Sequence, residues 1–165
     1  MRRIPDYQLV KRTVRELLAR YDISEPPVDP VAIARQEGIS VKFYNFSGKY
    51  AGVSGFYDPT ENMIFVNKEE YPLRQTFTVA HELGHAKLHM DWAVSDNYKV
   101  FWRSPEFNDR SDPHEKEANA FAANLLVPRS MLDEYYKGRS SATLSRLFAV
   151  SVPMIENRLS FEYGI

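Results

Sequence analysis

Within Thr76 to Met90, TFTVAHELGHAKLHM, the run His81-Glu82-Leu83-Gly84-His85 constrains the chain more than any other stretch. On a helix, residues four apart lie about 40° from each other on one face, so His81 and His85 can offer two imidazole nitrogens to one cation. Glu82, one step on, can then reach a water held at that cation and act as its general base. Apart from Lys87 and these residues the middle of the segment is nearly all apolar, which predicts a central core helix beginning at Arg74 or Gln75. The plainer alternative is a buried amphipathic helix with two hydrogen-bonded histidines.

H-E-x-x-H is the zinc peptidase pattern, and a tetrahedral zinc with one open position needs a third protein ligand. Six residues beyond His85 stands Asp91 rather than a histidine, and the chain has no cysteine. His89 lies about 12 Å along the helix axis from His81, too far to meet the same ion, so it reads as a residue that backs a ligand or packs. A better third ligand lies in Pro113 to Pro128, PHEKEANAFAANLLVP. Measured from Glu115 at helical pitch, Ala118, Asn119, Ala122 and Leu126 fall within about 60°, whereas Glu117 sits near 200°. Glu115 therefore shares the small, apolar inward face, Asn119 is placed to hold a ligating side chain by hydrogen bonding, and Glu117 is expected to point to solvent.

HELGHAKLH, followed downstream by EKEANAFAANLLVP, resembles the ImmA/IrrE family of bacterial zinc metallopeptidases, with a gluzincin ligand arrangement. The resemblance spans roughly Val28 to Pro128. It implies one zinc per chain, with ligands His81, His85 and Glu115 and with Glu82 as base. Where many gluzincins have Asp this chain has Asn119, which orients a ligand but pushes on it more weakly. The resemblance further implies a protein substrate, a helix-turn-helix repressor of the Xre type, whose cleavage switches on mobile-element, phage-defence or stress genes. Two rival readings are a non-catalytic regulator that uses zinc as a scaffold while binding DNA or a repressor, and a toxin-type peptidase with other targets. His114 and Tyr98 are the candidates for an oxyanion helper.

A length of 165 residues, 44% hydrophobic and 26% charged, predicts one domain with its own core. With 21 basic against 22 acidic residues, the chain as a whole is no polyanion binder. Residues 1–20 are locally basic, with six Lys/Arg against Asp6 and Glu16, a pattern expected of a solvated helix face. The lack of cysteine fits a reducing compartment, and no apolar run is long enough for a signal peptide or a membrane span, so the expected location is the cytoplasm.

In chain order, the expected fold class is α+β: N-terminal helices over residues 1–37, a sheet and zinc-site core over 38–128, and C-terminal helices over 129–165. Tyr7 to Tyr21 and Val31 to Glu37 read as helices, the second stopped by Gly38. Ser40 to Phe46, Val53 to Tyr57 and Met63 to Val66 read as a small antiparallel three-stranded sheet. A protease holds its substrate extended, so either Asn62 to Asn67 or Gly52 to Phe56 is expected to form an edge beside the metal, with Gly52 and Gly55 permitting close approach. Asp91 to Asp112, with Trp92, Tyr98, Phe101, Trp102 and Phe107, reads as a substrate-side flap. Past Pro128, a short helix over Arg129 to Tyr136 precedes a helix-turn-helix-like pair, Ala142 to Phe148 and Val152 to Leu159. Five Lys/Arg against four Asp/Glu over residues 129–165 deny that pair the basic footprint of a DNA reader, so it is assigned to the peptidase domain.

Overall fold

The computed structural model describes residues 3–95 and 112–165 of the chain. Helix α1 (Tyr7–Arg20) starts where the Asp6 carboxylate accepts from the Leu9 N–H, and it buries Val10, Val14, Leu17 and Leu18 along one stripe. Asp29 caps α2 (Pro30–Gln36) in the same manner, and Gly38 just beyond takes φ +80°, a left-handed conformation that favours glycine. Between these helices Glu37 gathers Arg20 at 2.6 Å, Lys87 at 2.6 Å and the Tyr21 hydroxyl. Burial pushes the Glu37 carboxyl up, but hydrogen bonds from Arg20, Lys87 and Tyr21 together outweigh it and hold the group at about 2. Its stabilising effect is thus complete above the unfolded carboxylate range and disappears as pH falls through about 2. Thermal melts of Glu37→Gln should run below wild type at neutral pH and converge with it as the pH is lowered toward that value.

Strands β1 (Ser40–Tyr44), β2 (Gly55–Asp58) and β3 (Met63–Asn67) form a sheet of order β1-β3-β2. β2 and β3 make an antiparallel hairpin, but β1 runs parallel to β3, with Val41 opposite Ile64. The expected antiparallel sheet is therefore corrected to a mixed one. Residues 45–62, which carry β2 and a single 3-10 turn at Gly48–Tyr50, are long enough for the crossover that parallel neighbours require, whereas Asp58 to Met63 allows only a hairpin. Tyr57, Ile64 and Val66 are buried toward the helices, while Phe56 and Phe65 stack at 4.9 Å on the other face.

The sheet leads into α3 (Pro72–Leu88), which begins two or three residues earlier than expected because Pro72 suits a first helical position after the extended Tyr71. α4 (Met90–Ala93) follows. Asp112, accepting from the His114 and Glu115 N–H groups, starts α5 (Pro113–Leu126), which lies against α3. They meet at Gly84, where an added Cβ would stand 3.0 Å from the Phe121 ring. Gly84→Val is expected to destabilise by about 1–3 kcal/mol through overpacking, a loss that denaturant unfolding would register.

α6 (Arg129–Tyr135), α7 (Ser141–Phe148) and α8 (Val152–Tyr163) complete the described residues. Ala149, between α7 and α8, takes the left-handed conformation at φ +54°. Leu144, Phe148, Val150 and Ile155 of this pair belong to the same buried cluster as Ile64, Leu83 and Leu125. The α+β class thus stands, with the sheet on one side of α3 and α5 on another. Among the described residues, no helix is long and apolar enough to cross a membrane.

Candidate metal centre

His81 and His85 occupy successive turns of α3, and Glu115 reaches them from the first turn of α5. The two Nε2 atoms are 3.2 Å apart; Glu115 sets Oε2 3.1 Å from His81 Nε2 and Oε1 2.9 Å from His85 Nε2. A single ion with ligand bonds of about 2.0–2.2 Å holds its donor atoms roughly 3–3.5 Å apart, so the three side chains fit one metal ion. Burial pushes the Glu115 carboxyl up, yet His81 and His85, which face it, hold it well below the carboxylate range. Burial likewise pushes His81 down, but Glu115 and Glu82 outweigh it and raise the ring above its ordinary value. The site favours positive charge at its centre, and a metal cation supplies it without a proton.

Asn119 stands one turn beyond Glu115, where sequence reasoning put it, and its Oδ1 lies 2.9 Å from His81 Nδ1. An amide oxygen only accepts, which assigns the proton to Nδ1 and leaves the Nε2 lone pair facing the centre. Behind His85 the support is longer. His85 Nδ1 lies 2.9 Å from His89 Nδ1, and His89 Nε2 lies 2.5 Å from Glu117 Oε2. Glu117 also accepts from the Asp6 N–H at 2.7 Å and from Arg3 Nη2 at 2.9 Å and 3.1 Å.

Glu117 does not point to solvent: its side chain is 1% exposed. Helical phase did place it opposite Glu115, but α1 and the segment before it cover that side of α5. Arg3 and Asp6 also escaped sequence reasoning, since a partner more than a hundred residues upstream leaves no trace in local periodicity. Burial pushes the Glu117 carboxyl up, while the Asp6 N–H, His89 and Arg3 bring it below its ordinary value. Burial, reinforced by His85, pushes His89 down, which keeps that ring neutral.

Glu82 is buried on α3, and its charge raises the adjacent His81. It is not one of the three converging groups. His114 is brought elsewhere: its ring stacks on Trp92 at 4.3 Å, meets His89 edge-on at 4.9 Å, and places Nδ1 3.0 Å from Asp112 Oδ1. Trp92, expected in the flap, is in α4 and walls the His85–His89 pair. Tyr98, Phe101, Trp102 and Phe107 fall in residues 96–111 of the expected flap, which lie outside the described residues.

Of the two strands considered for the edge, β3 is central and β2 is the edge strand, packed beside α3. Gly55 is required for a different reason from the one expected. A Cβ there would collide with the Phe65 carbonyl oxygen and stand 2.6 Å from Thr78 Cγ2, so the glycine lets β2 approach β3 and α3 rather than a substrate. At Gly52 nothing lies within 4 Å of an added Cβ.

Residues 34–160 match the family model described as peptidase family M78, IrrE N-terminal-like domain. The chain is 30% identical over 135 residues to an uncharacterized immunity region protein 2 of Bacillus phage phi105, covering 78% of this chain and 75% of that protein. It is 32% identical over 148 residues to the radiation response metalloprotease IrrE of Deinococcus deserti, covering 86% of this chain and 50% of the relative, so it spans about half of that protein's length. A solved structure of a Mycobacterium tuberculosis transcriptional regulator shares the fold, with a TM-score of 0.66 at 20% identity over 93% of this chain and 46% of that one. The match across most of the chain, around two histidines and a glutamate that converge on one point, makes this chain a member of the ImmA/IrrE family of metallopeptidases.

Proposed function

We propose that the chain is a single-domain, zinc-dependent endopeptidase of the cytoplasm, holding one zinc through His81, His85 and Glu115. The observation that carries this reading is the 2.9–3.2 Å spacing of the three donor groups with Glu82 buried beside them. Two imidazoles and a carboxylate are the donor set of catalytic zinc, which in such a site serves as a Lewis acid for water and for the scissile carbonyl. Glu82 accepts the water's proton and delivers it to the leaving amine nitrogen. Asn119 and His89 keep the two imidazoles aimed. β2 offers an edge along which an extended peptide adds as one more strand, so the cut falls in a linker of the target and not inside a helix. His114 is engaged by Asp112 and Trp92, and Tyr98→Phe measured against His114→Gln decides which of the two assists the oxyanion.

The substrate class we infer is a helix-turn-helix repressor of the Xre type, cleaved to switch on mobile-element, phage-defence or stress genes. A phage immunity-region relative and a radiation-response relative both support a switch of that kind. Incubating the purified protein with such a repressor from its own gene neighbourhood, with and without chelator, tests the reading. Metal-dependent cleavage at one linker bond is expected. A repressor that is bound but left intact would favour the regulator reading, for which the α7–α8 pair offers a helix-turn-helix-like element; cleavage confined to unrelated proteins would favour a toxin-type peptidase.

A further inference from the structure

The line of groups running from Arg3 through Glu117 and His89 to His85 has a direction. A guanidinium and a backbone N–H can only donate, so Glu117 accepts from Arg3 and Asp6 and has no proton to offer. His89 Nε2, 2.5 Å from the Glu117 carboxylate, is then the donor, which leaves His89 Nδ1 with a lone pair. His85 Nδ1, 2.9 Å from that lone pair, must carry a proton, and His85 Nε2 is left bare toward His81 and Glu115. A histidine serving only as packing would have no reason to bring its Nδ1 up to another Nδ1 at this distance.

We propose that His89 and Glu117 are positioning residues that set the tautomer of His85 and so the affinity of the centre for its metal, with Arg3 and the Asp6 N–H anchoring the far end. This rests on the reading of His81, His85 and Glu115 as a metal site. Glu117→Gln is the informative change because it keeps the shape and reverses the direction. Its amide oxygen, in the place of Oε1, answers Arg3 and Asp6, and its NH₂ then faces His89 Nε2, which must accept, while Arg3 gives up its second contact at the place of Oε2. His89 passes the reversal on, and the proton on His85 moves to Nε2, the atom that faces the ion.

Two measurements read this out. Long-range proton–nitrogen correlation spectra of the metal-free protein at mildly alkaline pH, taken in a Glu115→Ala background that removes the carboxylate competing for a proton on His85 Nε2, should place the His85 proton on Nδ1 with Glu117 intact and on Nε2 with Glu117→Gln. Zinc affinity, measured by competition with a chelator, should fall about 10–100-fold in Glu117→Gln, the range found when a partner behind a metal-bound histidine is lost. His89→Gln, which still offers one acceptor and one donor, should retain more affinity than His89→Leu. The proposal is overturned if Glu117→Gln leaves the His85 proton on Nδ1 with zinc affinity within about twofold of wild type. If that variant does not fold, equal zinc affinities for His89→Gln and His89→Leu overturn it instead. A wild-type protein that binds no zinc would sink the metal assignment, while the spectra would still decide the proton's position.

Discussion

Glu82→Gln is expected to fold, to bind metal with wild-type stoichiometry, and to hydrolyse peptide about 10²–10⁴-fold more slowly. The side chain is buried beside His81 but lies outside the group of three donors, so the exchange spares the ligands. Glutamine has nearly the same volume and can still hydrogen-bond, yet it cannot take a proton from water. Turnover of a cleaved target, set beside elemental analysis of the same preparation, makes the comparison. Undiminished biological activity in Glu82→Gln would mean that the protein works as a binding module.

Glu115→Ala should lose its metal. It removes the one donor supplied by α5 and leaves two imidazoles on α3, below the three protein ligands that a catalytic zinc site uses. With free metal a thousandfold above its dissociation constant, ligation stabilises the folded chain by about 4 kcal/mol. Calorimetry should therefore show a melting temperature that drops on chelation in wild type and does not move in Glu115→Ala. Wild-type metal content in Glu115→Ala would refute the ligand set. Sequence reasoning alone would choose Glu117→Ala as the silent control, but the structure makes it a poor one, because it strips the acceptor from Arg3, Asp6 and His89 together.

Helical phase was enough to bring out His81, His85, Glu115 and Asn119, because each relation is either four residues within one helix or the inward face of one helix. The helix expected from Tyr7 starts there, and the one expected from Val31 starts one residue earlier at Pro30, since the caps Asp6 and Asp29 bond to N–H groups only two or three residues on. Glu117 was misread for the complementary reason: phase reports which side of a helix a residue occupies, and only the tertiary fold decides what covers that side. The sheet failed in the same way. Alternation in Met63 to Asn67 marks a buried face, but nothing in it says that β1 arrives parallel on one side and β2 antiparallel on the other. A glycine at position 55 signalled a close approach correctly, while its partner, Thr78 on α3, was legible only in three dimensions.

The bond between Arg3 and Glu117 joins residues 114 apart in sequence, and this has a consequence for how the protein is made. On a translating ribosome His85 and His89 emerge before Glu117, which follows His89 by 28 residues, an interval of roughly one to six seconds at ordinary synthesis rates. During that interval α3 presents a pair of histidines with neither the carboxylate that completes the donor set nor the one that orders the protons behind it. A catalytic zinc uses three protein ligands, and at that stage α3 supplies two. A three-donor metal site is therefore expected only after α5 has emerged and the amino-terminal segment has folded back onto it.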